Sequence, residues 1–176
     1  VALNLANGTL YVATKSKGIL EKFKDYFKSS FGIEVAELQP VENMGACLHT
    51  LYAEGLTADV NGDRYELAEA GVITLSGLDA DNEQVTITAK NDRAAVDAGL
   101  EKGFGISKLK VGMTKADDAA EWTFSLESDS LRISAIKCPA SSSSEPEDDN
   151  PDAGLLEKLY LLDQVVAVTK QLFGQP

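Results

Sequence analysis

The chain is poor in the side chains that carry most metal and nucleophile chemistry. It has one histidine, His49, and two cysteines, Cys47 and Cys138, among 176 residues. A structural zinc site takes about four Cys/His ligands, and no CxxC pair occurs here, so zinc lacks a ligand set. Two cysteines so far apart read as reduced thiols of a cytosolic protein. A nucleophile needs a base, and His49 stands only two residues from Cys47. That offset is poor for a mutual hydrogen bond on a helix or a strand. Gly103-Phe104-Gly105 lacks the further glycine and the lysine of a phosphate loop. These residues therefore predict no catalytic group, no metal and no cofactor. No apolar run is long enough to cross a membrane, and no charged-then-apolar leader opens the chain. It begins at Val1 and so reads as a processed chain or, in preference, a piece cut from a longer protein.

Cations are scarce as well. Sixteen Lys and Arg face 28 Asp and Glu, a formal net charge of −12. The imbalance is uneven: residues 1–38 sum to +1, 39–138 to −8 and 139–176 to −5. Such acidity argues against an indiscriminate nucleic-acid coat but leaves room for a local basic face. One stretch fits that description. Lys102 to Lys115 carries Lys102, Lys108, Lys110 and Lys115 with no acid between them. As a strand it alternates Ser107, Leu109, Val111 and Met113 against Ile106, Lys108, Lys110 and Gly112. Lys108 and Lys110 then share a face about 7 Å apart, near the spacing of neighbouring phosphates on one nucleic-acid strand.

The length suits one domain with a true core, or one and a fraction. Asn7-Gly8 between Leu3/Leu5 and Leu10/Val12 predicts a β-hairpin over Val1–Thr14. Ile19, Leu20, Phe23, Phe27 and Phe31 recur at helical spacing over Ser16–Phe31, with Ser16 as N-cap and Gly32 just past the end. On that helix Lys17, Lys22, Lys24 and Lys28 interleave with acids, giving pairs such as Glu21–Lys24 and Asp25–Lys28 on a solvated face. A short strand is expected over Ile33–Leu38, ended by Pro40, and a short helix over Cys47–Leu56, ended at Gly55. Asn61-Gly62-Asp63 marks a turn, and Tyr65–Leu78 is mixed, with β-type residues late.

Gln84–Ala89 alternates as a strand, with Val85, Ile87 and Ala89 inward and Thr86, Thr88 and Lys90 outward. Asn91–Lys102 reads as a short helix capped by Asn91 or Asp92. Strands over Ile106–Met113, Glu121–Glu127 and Leu131–Lys137 form an antiparallel meander. Their inward sets are Leu109/Val111/Met113, Trp122/Phe124/Leu126 and Leu131/Ile133/Ala135. The segment PASSSSEPEDDNPD is an acidic, flexible linker. Asn150 then caps a helix that starts at Pro151 and reaches about Phe173, apolar over much of its circumference and so buried or facing a partner.

The fold class is therefore α+β. A β-hairpin–α–β unit (1–40) is followed by a mainly antiparallel sheet unit (41–138), a linker (139–152) and a long C-terminal helix (153–176) that docks on the core or a partner subunit. If the late strands share one sheet, its outer side gathers Thr86, Thr88, Lys90, Lys108, Lys110, Thr123, Ser125, Arg132 and Ser134. Hydroxyls with cations suit phosphate contacts, though they are also ordinary on a solvated sheet face. The clusters Asp79/Asp81/Glu83 and Glu145/Glu147/Asp148/Asp149 sit in loop or linker and read as solvating charge.

The order of these pieces carries a resemblance. The hairpin LANGTLYVAT leads into GILEKFKDYFKSSFG and IEVAEL. Then come EAGVITLSG, VTITAKND, GISKLKVGM, WTFSLESDSLRISAIK, an acidic spacer and LLEKLYLLDQVVAVTKQLFG. This is similar to the C-terminal half or more of the recombination-associated protein RdgC family, over nearly the whole chain. The resemblance implies sequence-independent binding of double-stranded DNA by a ring-forming homodimer that restrains RecA-driven strand exchange. It would place the protein in the cytoplasm with the nucleoid. Some members are labelled exonucleases, but no motif for that can be placed here.

By this likeness Lys90, at the AKND junction, matches a basic junction of the family, and Lys108 matches the lysine of the following strand. Arg93 is adjacent and unmatched, and the closing helix matches a region that helps form the subunit contact. The chain departs from the family in its acidity, in a basic run reduced to one Lys and Asn91, and in a longer serine-rich spacer. The DNA-lining set expected is Lys90, Arg93, Lys108, Lys110, Arg132 and Lys17. The alternatives are a protein-interaction or oligomerisation module without DNA binding, and a metal-dependent exonuclease.

Overall fold

The computed structural model describes all residues except Asn7, Lys15, Asp117, 140–150 and Pro176, with the side chains of 151–153 also left aside. The chain divides into two units, Val1–Glu37 and Leu38–Pro176. In the first, β1 (Ala2–Asn4) and β2 (Thr9–Tyr11) pair antiparallel with Leu3 opposite Leu10. Of the expected Asn-Gly turn, Asn7 lies outside the described residues, and Gly8 has φ +67°. Helix α1 (Lys17–Phe31) starts where Ser16 Oγ accepts a hydrogen bond from Ile19 N at 3.3 Å. It ends at Gly32, whose left-handed backbone lets its N–H reach Lys28 O at 2.8 Å. Phe23, Phe27 and Phe31 stack along one side at the i, i+4 interval.

No strand follows, which corrects the expectation for Ile33–Leu38: residues 33–39 lie outside any strand. The segment runs back along α1 instead of pairing with a sheet, and there Glu34 pairs with Lys28 and Glu37 with Lys24. The Glu21–Lys24 pair forms at 2.9 Å, whereas Lys28 takes Glu34 rather than Asp25.

The second unit is one twisted antiparallel sheet with helices packed on its apolar side. Helix α2 (Met44–Glu54) begins earlier than its sequence suggested and ends at Gly55, φ +75°. A β3–β4 hairpin follows, β3 spanning Leu56–Val60 and β4 Asp63–Leu78, turned by Asn61 and Gly62, both with positive φ. The segment that looked mixed is thus one strand. Its ambiguity comes from an irregularity between Glu69 and Ile73, where Gly71 has φ +83° and a Cβ would collide with Asn91 Oδ1.

Strand β5 (Gln84–Lys90) pairs with the later half of β4, on the same edge as β3, and α3 (Arg93–Glu101) follows with Asp92 as its cap. On the other edge of β4 lie β6 (Gly105–Lys115), β7 (Glu121–Glu127) and β8 (Ile133–Lys137), the expected meander. The last helix, α4 (Pro151–Phe173), docks on its own sheet. Tyr65 Oη donates to Gln164 Oε1, Trp122 Nε1 donates to Leu161 O at 3.2 Å, and Val41 N donates to Phe173 O at 2.8 Å. The expected cap Asn150 and most of the acidic linker lie outside the described residues.

Tyr65, Leu67, Leu75, Leu109, Val111, Met113, Trp122, Phe124 and Leu126 form the buried face of the sheet. Leu48 and Leu51 of α2, Val96 of α3, and Val165, Val168 and Phe173 of α4 close over it. Two bulges correct the inward sets. Ile106, expected outside, is buried opposite Leu75, because β6 carries one extra residue between Ile106 and Lys108. In β8, Ala135 has φ +52° and is exposed, and Ile136 packs on the core in its place.

Candidate nucleic-acid interface

The side of the sheet away from the helices is polar, and its rows follow from register. Thr88, Thr74, Lys108 and Glu127 stand side by side across β5, β4, β6 and β7. Thr74 and Thr88 hydroxyls are 3.3 Å apart, and Ser76 Oγ donates to Ser107 Oγ at 2.7 Å, so these side chains share the face. The bulge that buries Ile106 also turns Ser107 outward; its hydroxyl reaches Thr74 O at 3.1 Å. The next row is Lys110, Ser125 and Ser134, and beyond it Gly112, Thr123 and Lys137. Lys90 ends β5, exposed opposite Val72.

Lys90, Lys108 and Lys110 therefore belong to one side of one sheet, as their sequence pattern predicted, while Arg132 lies just before β8 and approaches this side at Glu127. Lys137 joins them. Simple alternation in Leu131–Lys137 pointed it inward, and only the bulge at Ala135 brings it opposite Thr123. The acids on this face are equally a matter of register. Glu127 accepts from Lys108 Nζ at 3.2 Å and lies 3.7 Å from Arg132 Nη1, so one carboxylate is shared by two of the expected cations. Lys90 and Lys110 make no ion pair with another described residue. At the far end of β6, Glu66 and Glu121 flank Thr114. Cations thus gather along one half of the face with Glu127 among them, and Glu66 and Glu121 mark the other end.

Two expected residues lie elsewhere. Lys17 opens α1 in the other unit, exposed. Arg93 stacks on Tyr52, its Cζ 4.9 Å from the ring centroid, in a cleft with Glu69, Gly71 and Asn91. In this cleft Tyr52 Oη donates to Asp97 Oδ1 at 2.6 Å. Burial first, then that hydrogen bond, push the Tyr52 phenol up to about 12. An unfolded tyrosine ionises near 10. Between those two values the folded state holds a proton that the unfolded chain has lost, so stability falls as pH rises through this window. Denaturant titrations at stepped pH are expected to show that fall, and Tyr52→Phe to reduce it.

Among the described residues, no three His, Cys, Asp or Glu side chains come together as metal ligands, and no helix is long and apolar enough to cross a membrane. No family model, curated protein or solved structure matches this chain.

Proposed function

We propose that this chain is the non-sequence-specific double-stranded DNA-binding part of an RdgC-like ring-forming homodimer, nucleoid-associated and modulating RecA-dependent recombination. The observation that carries this reading is the placement of Lys90, Lys108 and Lys110 on one sheet face beside the exposed Thr86 and Thr88, with Arg132 reaching the same face through Glu127. Such a face offers donors to phosphates and little that would read a base edge. At physiological salt a charge is screened beyond about 8 Å, so contact strength follows the local cations. The global charge of −12 acts mainly on the encounter. Enclosure of the duplex by two copies would supply the retention that a few exposed lysines do not.

Fluorescence anisotropy with labelled duplexes of unrelated sequence tests it. Log affinity should fall linearly with log salt, by roughly 0.9 per phosphate contact, and be the same for each sequence. Absence of salt-sensitive affinity sinks the reading. Glu127 supplies a second measurement. Its carboxylate competes with phosphate for Lys108 and Arg132, so Glu127→Gln should raise duplex affinity several-fold and steepen the salt dependence.

The same carboxylate favours a second reading, a protein-interaction or oligomerisation module without intrinsic DNA binding. A sheet face whose cations are partly paired internally, on an acidic chain, also suits a protein partner. Dimerisation without duplex retention, indifferent to Glu127→Gln, would select it.

A further inference from the structure

We propose that β5 is a self-pairing edge, by which two copies of this chain join their sheets antiparallel about a two-fold axis through Ile87. This deepens the homodimer of the proposed function by naming one of its contacts.

Sheet edges are normally protected by bulges, charges, proline or brevity. Two edges here show it: β8 is bulged at Ala135, and β3 has five residues with Asp59 among them. Strand β5 has none of these devices in its interior. Its register with β4 runs unbroken from Val72↔Lys90 to Leu78↔Gln84, and no described strand pairs with its other side. Its inward residues Val85 and Ile87 remain half-buried, as on an edge still open to a neighbour.

The sequence QVTITAK is complementary to itself in this arrangement. With Ile87 opposite Ile87 of the second copy, Thr86 meets Thr88, Val85 meets Ala89, and Gln84 meets Lys90. All seven residues are paired, and every pair keeps its face. Charge agrees with this register. The turn before β5 carries Asp79, Asp81 and Glu83, while the other end carries Lys90 beside Asp92 and Arg93, a sum of −3 against +1. Asp79 and Asp92 both accept from nearby backbone N–H groups, and Arg93 stacks on Tyr52, so Lys90 is the cation closest to the pairing strand. Antiparallel pairing lays each acidic end beside the other copy's basic end. The two polar faces then become one continuous wall. A seven-residue strand pair is small for an interface, so the contact should be of about micromolar strength.

The test is sedimentation of the intact chain without DNA. Thr86→Lys with Thr88→Lys puts like charges opposite each other across the axis, whereas Thr86→Glu with Thr88→Lys puts opposite charges there. Both positions are exposed and leave the core untouched. The first pair of changes should weaken dimerisation by about tenfold and the second restore or tighten it. A wild-type chain that stays monomeric at about 100 μM, well above a micromolar constant, overturns the proposal. So does a dimer equally stable in both variants, which would place the contact elsewhere. A monomer that still binds duplex DNA with salt sensitivity rejects this contact and spares the DNA reading. A dimer with the expected charge response that ignores DNA does the reverse.

Discussion

Lys108→Glu with Lys110→Glu is expected to abolish most of the salt-sensitive duplex affinity while leaving the chain folded. The two ammonium groups alternate along β6 on the open face and would meet neighbouring phosphates. Removing two contacts should lower the slope of log affinity against log salt by about 1.8, and low-salt affinity by roughly 100-fold. The fold loses little. The Lys108–Glu127 pair is partly exposed on both sides, and such pairs contribute about 0–1 kcal/mol. Reversal also sets like charges opposite at Glu127, costing a further fraction of about 1 kcal/mol. A far-ultraviolet spectrum and melting curve close to wild type, with anisotropy lost, is the supporting result. Unchanged anisotropy would remove this face from DNA binding.

Phe124→Ala should have the largest effect on stability. Phe124 is fully buried on β7, opposite Val111 and between Trp122 and Leu126 on the same face. Replacing a buried phenylalanine by alanine costs about 3–5 kcal/mol, because transfer energy is lost and a cavity remains. Against a total stability of roughly 5–15 kcal/mol, this is about a fifth or more of what holds the domain folded. The urea midpoint should fall sharply, and the melting temperature by some 6–20 °C for a chain of this size. Thr123→Ala, one residue away on the polar face, should change stability by no more than about 0.5 kcal/mol. Equal effects at the two positions would mean that the faces of β7 are assigned wrongly.

Much of this architecture was legible because its signals are local. Ser16 and Gly32 bound α1 as cap and left-handed stop, since a side-chain oxygen and a missing Cβ act within one turn of their own position. The alternation in Gln84–Ala89 and Glu121–Glu127 identified both strands and both faces, because neither contains a bulge. The same rule failed in Ile106–Met113 and Leu131–Lys137. One extra residue exchanges every side chain beyond it between faces, and whether it is tolerated depends on the strand alongside. Ile33–Leu38 failed differently: it joins no strand, and Glu34 and Glu37 lie against lysines of α1.

The amino-acid sequence by itself determined the α+β class, the amphipathic α1, the meander, and the gathering of Lys108 and Lys110 on one side. Each of these depends on residue type and spacing within about a dozen positions. Tertiary structure alone decided that β4 separates β5 from β6, that Lys137 joins the cationic half of the face, that Arg93 leaves it for Tyr52, and that Glu127 stands between Lys108 and Arg132. Those are facts of register between strands distant in the chain. Coulomb forces and hydrogen bonds act between neighbours in space, and pairing in the sheet chooses those neighbours.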